Sequence, residues 1–135
     1  MANEAVIVEL YGEGSSKGRP MRGTVDNAEA IEKGELAVWL DPRKLSGAII
    51  DGVAAGVHAM EKVAADGSTS TTVYTDGLFD FTAGLEAITL GDYFKISGSN
   101  LCVPASDANV AAGLALGRAL ETVSASEVFL GRVNL

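Results

Sequence analysis

The sequence predicts an all-β protein: a single β-barrel or sandwich that contains an internal pseudo-two-fold duplication and follows a flexible N-terminal arm. Two observations predict this class. Short segments rich in β-branched and aromatic residues alternate along the chain with turns rich in Gly, Asp and Ser, as in barrels and sandwiches. In addition, a block of sequence occurs twice. The alternative is an α+β fold, because the Ala-rich segment Ile49–Val63 also suits a helix.

The duplication is clearest where Ile31–Leu40 (IEKGELAVWL) recurs as Ile88–Ser97 (ITLGDYFKIS). Both copies read Ile-x-x-Gly-acid followed by an apolar-rich segment, and they lie 57 positions apart. The same offset places the block Val53–Val57 on Val110–Leu114, after which a shift to 60 places Met60 on Leu120. Two copies with a period longer than solenoid repeats favour a pseudo-two-fold domain over an array. We therefore expect both copies to lie within one barrel or sandwich.

The individual elements follow from composition and turn residues. Ala5–Tyr11 is a strand, the Gly- and Ser-rich stretch after it is a joint, and the compact part begins at Met21–Val25. Single helical turns are expected at 27–33 and at 107–113, the second with Asp107 as its N-cap. The further predicted strands are Leu36–Leu40, Val57–Val63, Thr71–Thr75, Leu78–Phe81, Tyr93–Ser97, Leu101–Val103, Leu114–Leu120 and Val128–Val133.

Alternation along these strands predicts which apolar residues form the core. The predicted core residues are Val38, Leu40, Val57, Val63, Val73, Leu78, Phe79, Phe81, Ile88, Phe94, Ile96, Leu114, Leu116, Leu120, Val128, Leu130 and Val133. Because side chains in a strand alternate between its two faces, an error of one position in any strand would exchange its buried and exposed residues.

Composition narrows the class of function. The chain has 135 residues, a hydrophobic content of 47% and a net charge of −8, which describe one globular acidic domain. Such a charge argues against nucleic acid as a partner, since nucleic-acid binders carry a basic face. No stretch has the pattern of a signal peptide or the length of a membrane span, so we expect no membrane partner and synthesis in the cytoplasm.

Motifs for catalysis or for cofactor and metal binding are incomplete. His58 is the one histidine, so a histidine-based triad or the common zinc sites have at most one member. Cys102 stands between apolar neighbours and reads as a small buried residue. The glycine-rich segment 12–18 lacks the Gly-Lys-Ser/Thr order of a phosphate loop, and the carboxylates between 76 and 92 lack calcium-loop spacing. We expect no enzyme activity, no cofactor and no metal.

The segments between Met21 and Leu135 resemble a known family. The most specific pieces are Ala59–Lys62 with Asp66–Thr69, the turn Gly77–Asp80, and Gly117–Glu121 near the end. These are similar to the small β-barrel capsid decoration, or cement, proteins of tailed viruses, which are encoded beside the major capsid gene. None of the pieces is a catalytic motif.

The resemblance implies a virion structural protein whose barrel domain, residues 21–135, binds the outer surface of a capsid and stabilises it. Its partners would be the major capsid protein and further copies of itself in a homotrimer. Two other classes stay open: another virion component, such as a head-fibre base or a tail-associated module, and, less favoured, a small-ligand binding domain or an enzyme.

Candidate interface residues lie in the arm, residues 1–20, and among exposed aromatic side chains. The apolar arm strand pairs either with the chain's own sheet or with a neighbouring subunit. Arginines near its root would meet carboxylates of the shell, and aromatic residues would contribute apolar contact. The candidate residues are Val6, Ile7, Val8, Leu10, Tyr11, Arg19, Arg22, Trp39 and Tyr93.

Overall fold

The computed structural model describes residues 3–135. Within this range the chain forms eleven β-strands, one short α-helix and one 3-10 helix. In chain order these are β1 (Val6–Glu9), the 3-10 helix (Gly14–Ser16), β2 (Met21–Thr24), β3 (Leu36–Leu40), β4 (Lys44–Ser46), β5 (Val53–His58), β6 (Ser70–Tyr74), β7 (Asp76–Ala83), β8 (Tyr93–Gly98), β9 (Leu101–Pro104), α1 (Asp107–Ala111), β10 (Ala115–Ala119) and β11 (Val128–Asn134). The all-β prediction is confirmed, and the α+β alternative is wrong.

The strands form two five-stranded barrels, so the expectation of a single barrel is wrong. The first barrel closes in the order β2-β4-β3-β5-β6, with β2 and β4 parallel and the other pairs antiparallel. In the second, β7-β11-β10-β8-β9 form a sheet that a parallel β7–β9 pairing closes, again with the other pairs antiparallel. Strand β1 is added to the outer side of β7. Each copy of the duplication therefore builds its own barrel.

The two barrels share turns as well as topology. Gly34 and Gly91 enter β3 and β8 with φ of 89° and 90°, a left-handed conformation that favours glycine. An isolated bridge joins Ile31 to Lys62 in the first barrel, and the corresponding bridge joins Ile88 to Val123 in the second. The first partners of these bridges are 57 positions apart and the second partners are 61 apart. The duplication is confirmed at the level of hydrogen bonding.

The later part of the predicted alignment needs correction. In the first barrel His58 N donates to the carbonyl of Glu35, and in the second Ala119 N donates to the carbonyl of Asp92. These pairs place β5 on β10 at an offset of 61, so Met60 corresponds to Glu121, not to Leu120, and the offset of 57 does not hold for Val53–Val57. Four extra residues lie in the connection between β9 and β10, which contains α1. Repeated Ala and Gly there gave the false alignment.

The cores of the two barrels differ in the size of their side chains. Phe79, Phe81, Phe94 and Phe129 are fully buried in the second barrel, with neighbouring rings 4.9–5.8 Å apart. The first barrel instead encloses a small cluster in which Trp39 is the only large ring among the described residues. The members of this cluster are Ala37, Leu45, Ala55 and Val73, with Trp39 packed against them. The other face of β3 and β5 joins the larger phenylalanine-rich cluster, which ties the barrels together.

Most of the predicted core is buried, but four residues are exposed: Leu40, Val63, Leu120 and Val128. A β-bulge between Ala115 and Gly117 changes the phase of β10, so Ala119 is buried and Leu120, just after the strand, is exposed. At the start of β11 the predicted phase was wrong by one position, so Phe129 is buried in place of its neighbours, whereas Val133 is buried as predicted. Three more predicted residues are half-buried: Leu78, Leu114 and Leu130.

Three local predictions are also wrong. The strand expected at Val57–Val63 ends at His58, after which the chain turns. The residues 27–33 form turns and a bridge rather than a helical turn. Helix α1 does form at the second predicted place, but its N-cap is Ser106, whose hydroxyl accepts from the backbone of Asn109 in a capping box. Asp107 is the first helical residue, where its charge suits the helix dipole.

Candidate binding surface

Strand β1 lies along its own chain. Val6 pairs with Asp80 and Ile7 with Phe79 of β7, so the intrachain alternative for the arm is the one found in this structure. All four β1 residues are nonetheless exposed, with Val6 at 61% and Val8 at 51%. An apolar edge strand with both faces exposed is an unusual surface for a protein, because edge strands are prone to further pairing.

The residues after β1 are bound to the body of the molecule. Leu10 packs against the main core, and the guanidinium of Arg132 lies 4.5 Å from the centre of the Tyr11 ring. The carbonyl of Gly18 accepts from the backbone of Thr75 and of the next residue at 2.8 and 3.1 Å. Residues 10–18 thus contribute to the packing around the start of β7.

Trp39 lies where three surface depressions meet. Its ring occupies the first barrel beside Leu45 and Gly23, where a Cβ on the glycine would lie 3.3 Å from the ring and 2.6 Å from the leucine. The lack of a side chain at Gly23 therefore leaves space for the large ring and for Leu45. The half-buried indole also reaches three surface depressions of about 870, 740 and 480 Å³, all of which include Trp39 in their walls.

All the arginines of the chain line these three depressions. Arg19 lines the first, Arg118 and Arg132 line the second, and Arg22 and Arg43 line the third. The sequence contains these five arginines and no others. Among the lining residues within 3–135 there is no aspartate or glutamate, although the chain as a whole has 18. We call Trp39, Tyr93 and the five arginines the arginine face.

The arginines differ in how they are held. A nitrogen of Arg132 lies 3.2 Å from the carboxylate of Asp76. Nε of Arg118 donates to the carbonyl of Gly91 at 3.1 Å, and the guanidinium lies 5.4 Å from the centre of the Tyr93 ring. The two arginines are therefore pre-positioned by contacts within the second barrel.

The other three arginines project freely. Arg19, Arg22 and Arg43 are exposed, and their guanidinium groups make no ion pair or hydrogen bond with any residue between 3 and 135. Unpaired guanidinium groups beside an indole form a cationic and apolar surface on an acidic protein.

The predicted interface residues fall into two groups in space. Arg19, Arg22, Trp39 and Tyr93 line the three depressions together, whereas Val6, Ile7 and Val8 of β1 line none of them. Nothing in the sequence singled out Arg118 and Arg132 of this face. Arg118 and Arg132 are paired partners on adjacent strands, and that pairing is visible only once β10 and β11 are aligned.

Buried polar groups lie at the opposite end of the first barrel. His58 is fully buried, with Nε2 2.9 Å from the carbonyl of Ser46 and Nδ1 without a partner among the described residues. Burial lowers the pKa of His58 and raises the pKa of the Glu35 carboxyl. Nζ of Lys62 donates to three backbone carbonyls and pairs with Asp66 at 3.3 Å. These contacts hold turns together.

The one cysteine of the sequence, Cys102, is fully buried. Burial raises the pKa of the Cys102 thiol, which disfavours the reactive thiolate. No three His, Cys, Asp or Glu side chains in residues 3–135 are grouped so that they could hold a metal ion. In the same range, no helix has both the length and the apolarity to cross a bilayer.

Comparison with known proteins gives a fold relationship. No family model matches the sequence, and no curated protein is similar to it. Among solved structures, the chain is similar to the head fiber gp8.5 N base in bacteriophage phi29, with a TM-score of 0.54 and 14% sequence identity. The likeness covers 85% of this chain and 92% of the other. At this identity it shows that the two proteins share a fold.

Proposed function

We propose that this protein is a structural component of a tailed-virus particle that binds the outer surface of the capsid as a decoration protein. The observation that carries the proposal is the fold shared with a phage head-fibre base over 85% of the chain. The sequence resemblance to capsid decoration proteins points to the same part of a virus particle, and it was drawn from turn and strand residues alone. Fold alone does not determine function, so the agreement between these two lines is the argument.

The surface of the protein suits such a role. An exposed apolar edge strand and a concave face of arginines and aromatic residues are both features of protein–protein contacts. The major capsid protein is the proposed partner, and a homotrimer is the proposed state on the particle. Light scattering of the purified chain, and the copy number at each binding position on particles, would measure that state.

The second candidate is the base of a head fibre. The specific observation in its favour is that the similar solved structure is named as a head fibre base. A reconstruction of particles that carry this protein separates the two candidates. Density limited to two barrels on the shell is expected of a decoration protein, and a fibre that continues outward from them is expected of a base.

The direct test is sedimentation of the full chain with purified capsids that lack it. Saturable binding, with a fixed number of copies per capsid and no binding to an unrelated particle of similar size, is the expected result. Binding that rises linearly with concentration, or no binding at any concentration, would contradict the proposal.

A further inference from the structure

The distribution of charge over the surface is uneven. A chain with 18 acidic and 10 basic residues places all five of its arginines around depressions that share Trp39, and no acidic side chain among the described residues lines them. Arginine and tryptophan, with tyrosine, are the residue types that contribute most binding energy at protein interfaces. The arrangement therefore concentrates these types in one place on an otherwise acidic molecule.

The second barrel shows that the fold does not require arginine at these positions. Arg22 pairs with Thr72 in the first barrel as Asp80 pairs with Leu130 in the second, so Arg22 corresponds to Asp80. Both barrels are closed, although this position carries a positive charge in the first barrel and a negative charge in the second.

The same comparison applies to Arg43. It precedes β4 with a φ of 59°, and Asn100 precedes β9 with a φ of 61°, in the same place of the same topology. Asn100 is buried, and its side-chain oxygen accepts from the backbone of Leu36, so it serves the contact between the barrels. Arg43 is exposed in the corresponding turn. Formation of the barrel therefore does not require arginine at either position.

We propose that the arginine face docks an acidic protein surface, with carboxylates of the partner meeting the free guanidinium groups of Arg22 and Arg43. Trp39 lines the same depression as these two arginines and supplies apolar contact beside them, and Tyr93 adds apolar contact in the neighbouring depression. A carboxylate and a guanidinium form paired, charge-assisted hydrogen bonds, which are the strong kind. This inference rests on the proposed function only in naming the capsid as the carrier of that acidic surface.

An acidic protein fits the face better than nucleic acid does. A long polyanion would run beyond the face onto a molecule whose net charge is −8, where it would be repelled. A compact partner can meet the arginines without approaching the acidic remainder. The depressions are also partly apolar, with Met21 in one and Leu120 in another, and such walls suit side chains rather than a phosphate backbone.

The test compares three single charge reversals in the full chain. Arg22→Glu and Arg43→Glu change the face, and Lys33→Glu makes the same change in charge at an exposed position outside it. Thermal unfolding confirms that each variant is folded. Trp39 is the only tryptophan in the sequence, so its fluorescence reports occupation of the face directly.

Two probes are titrated besides the capsid: a short glutamate-rich peptide, small enough to stay on the face, and a short double-stranded DNA. The expected result is saturable, salt-sensitive binding of the glutamate peptide or of capsids, weakened about fivefold or more by either arginine reversal and less than about twofold by the lysine reversal. The inference is overturned if the arginine variants equal the lysine variant with both the peptide and capsids, if neither the peptide nor capsids bind, or if DNA binds more tightly than the peptide. If the wild-type protein does not bind capsids, the proposed function is contradicted. The titration with the soluble probes then decides by itself whether the arginine face binds an acidic surface.

Discussion

Truncation of Phe94 to alanine tests the core of the second barrel. Phe94 is fully buried, and its ring lies 4.9 Å from that of Phe81 and 5.0 Å from that of Phe129. Loss of a buried phenylalanine costs about 3–5 kcal/mol, and the ring contacts are part of that cost. Two glycines, Gly117 and Gly131, also form the wall around this ring, with the nearest positions for a Cβ 2.8–3.1 Å from it. Backbone walls collapse poorly into a cavity, so we expect a loss of about 4 kcal/mol.

Urea unfolding followed by circular dichroism measures this loss, with Leu90→Ala as the matched control. Leu90 is 62% exposed, and its truncation should change the free energy of unfolding by less than about 0.5 kcal/mol. A loss below about 1 kcal/mol for Phe94→Ala would refute the reasoning, because it would mean that β8 is displaced by one residue and this ring faces outward.

Three further predictions concern the backbone and buried polar groups. Gly117→Ala should destabilise the fold by about 1–3 kcal/mol in urea unfolding, because its Cβ would overlap the carbonyl oxygen of Arg132. Gly84→Ala, whose Cβ would come no closer than 3.2 Å to another residue, should cost clearly less, and equal losses would contradict the bulge geometry. Lys62→Met should cost about 3 kcal/mol, since three backbone carbonyls lose their donor, and an unchanged midpoint would show that water replaces it. Because burial lowers the pKa of His58, the unfolded state binds its proton first, so the free energy of unfolding should fall as the pH drops below the ordinary value of 6.5. His58→Gln should flatten this dependence between pH 7 and pH 5, and an identical slope in both proteins would contradict it.

The fold class and the duplication follow from the sequence because both depend on local pattern. Strand residues such as those of Leu36–Leu40 and Tyr93–Ser97 are recognisable from β-branched and aromatic content, and the glycine before each is required by a left-handed turn. The first strand was likewise recognised from composition. Its partner was left open, since an edge strand presents the same hydrogen-bonding groups to its own sheet and to a neighbour.

The number of barrels was decided by long-range pairing. Each barrel closes through a short parallel contact, Thr24 with Lys44 in one and Thr82 and Ala83 with Leu101 and Cys102 in the other. One or two residue pairs leave no pattern in the sequence, and yet they separate two barrels from one. The bulges have a similar effect, because an extra residue in β10 exchanges its faces after Leu116 without any change in composition.

The arginine face likewise could be predicted only in part from the sequence. Arg22 and Trp39 were selected from the sequence as exposed candidates, but a search along the chain cannot bring together side chains from β2, β3, the turn before β4, β10 and β11. Residue types and local strand signals are properties of short segments and can be read from them. The concentration of positive charge at one place depends on which strands become neighbours, and only closure of the two barrels determines that.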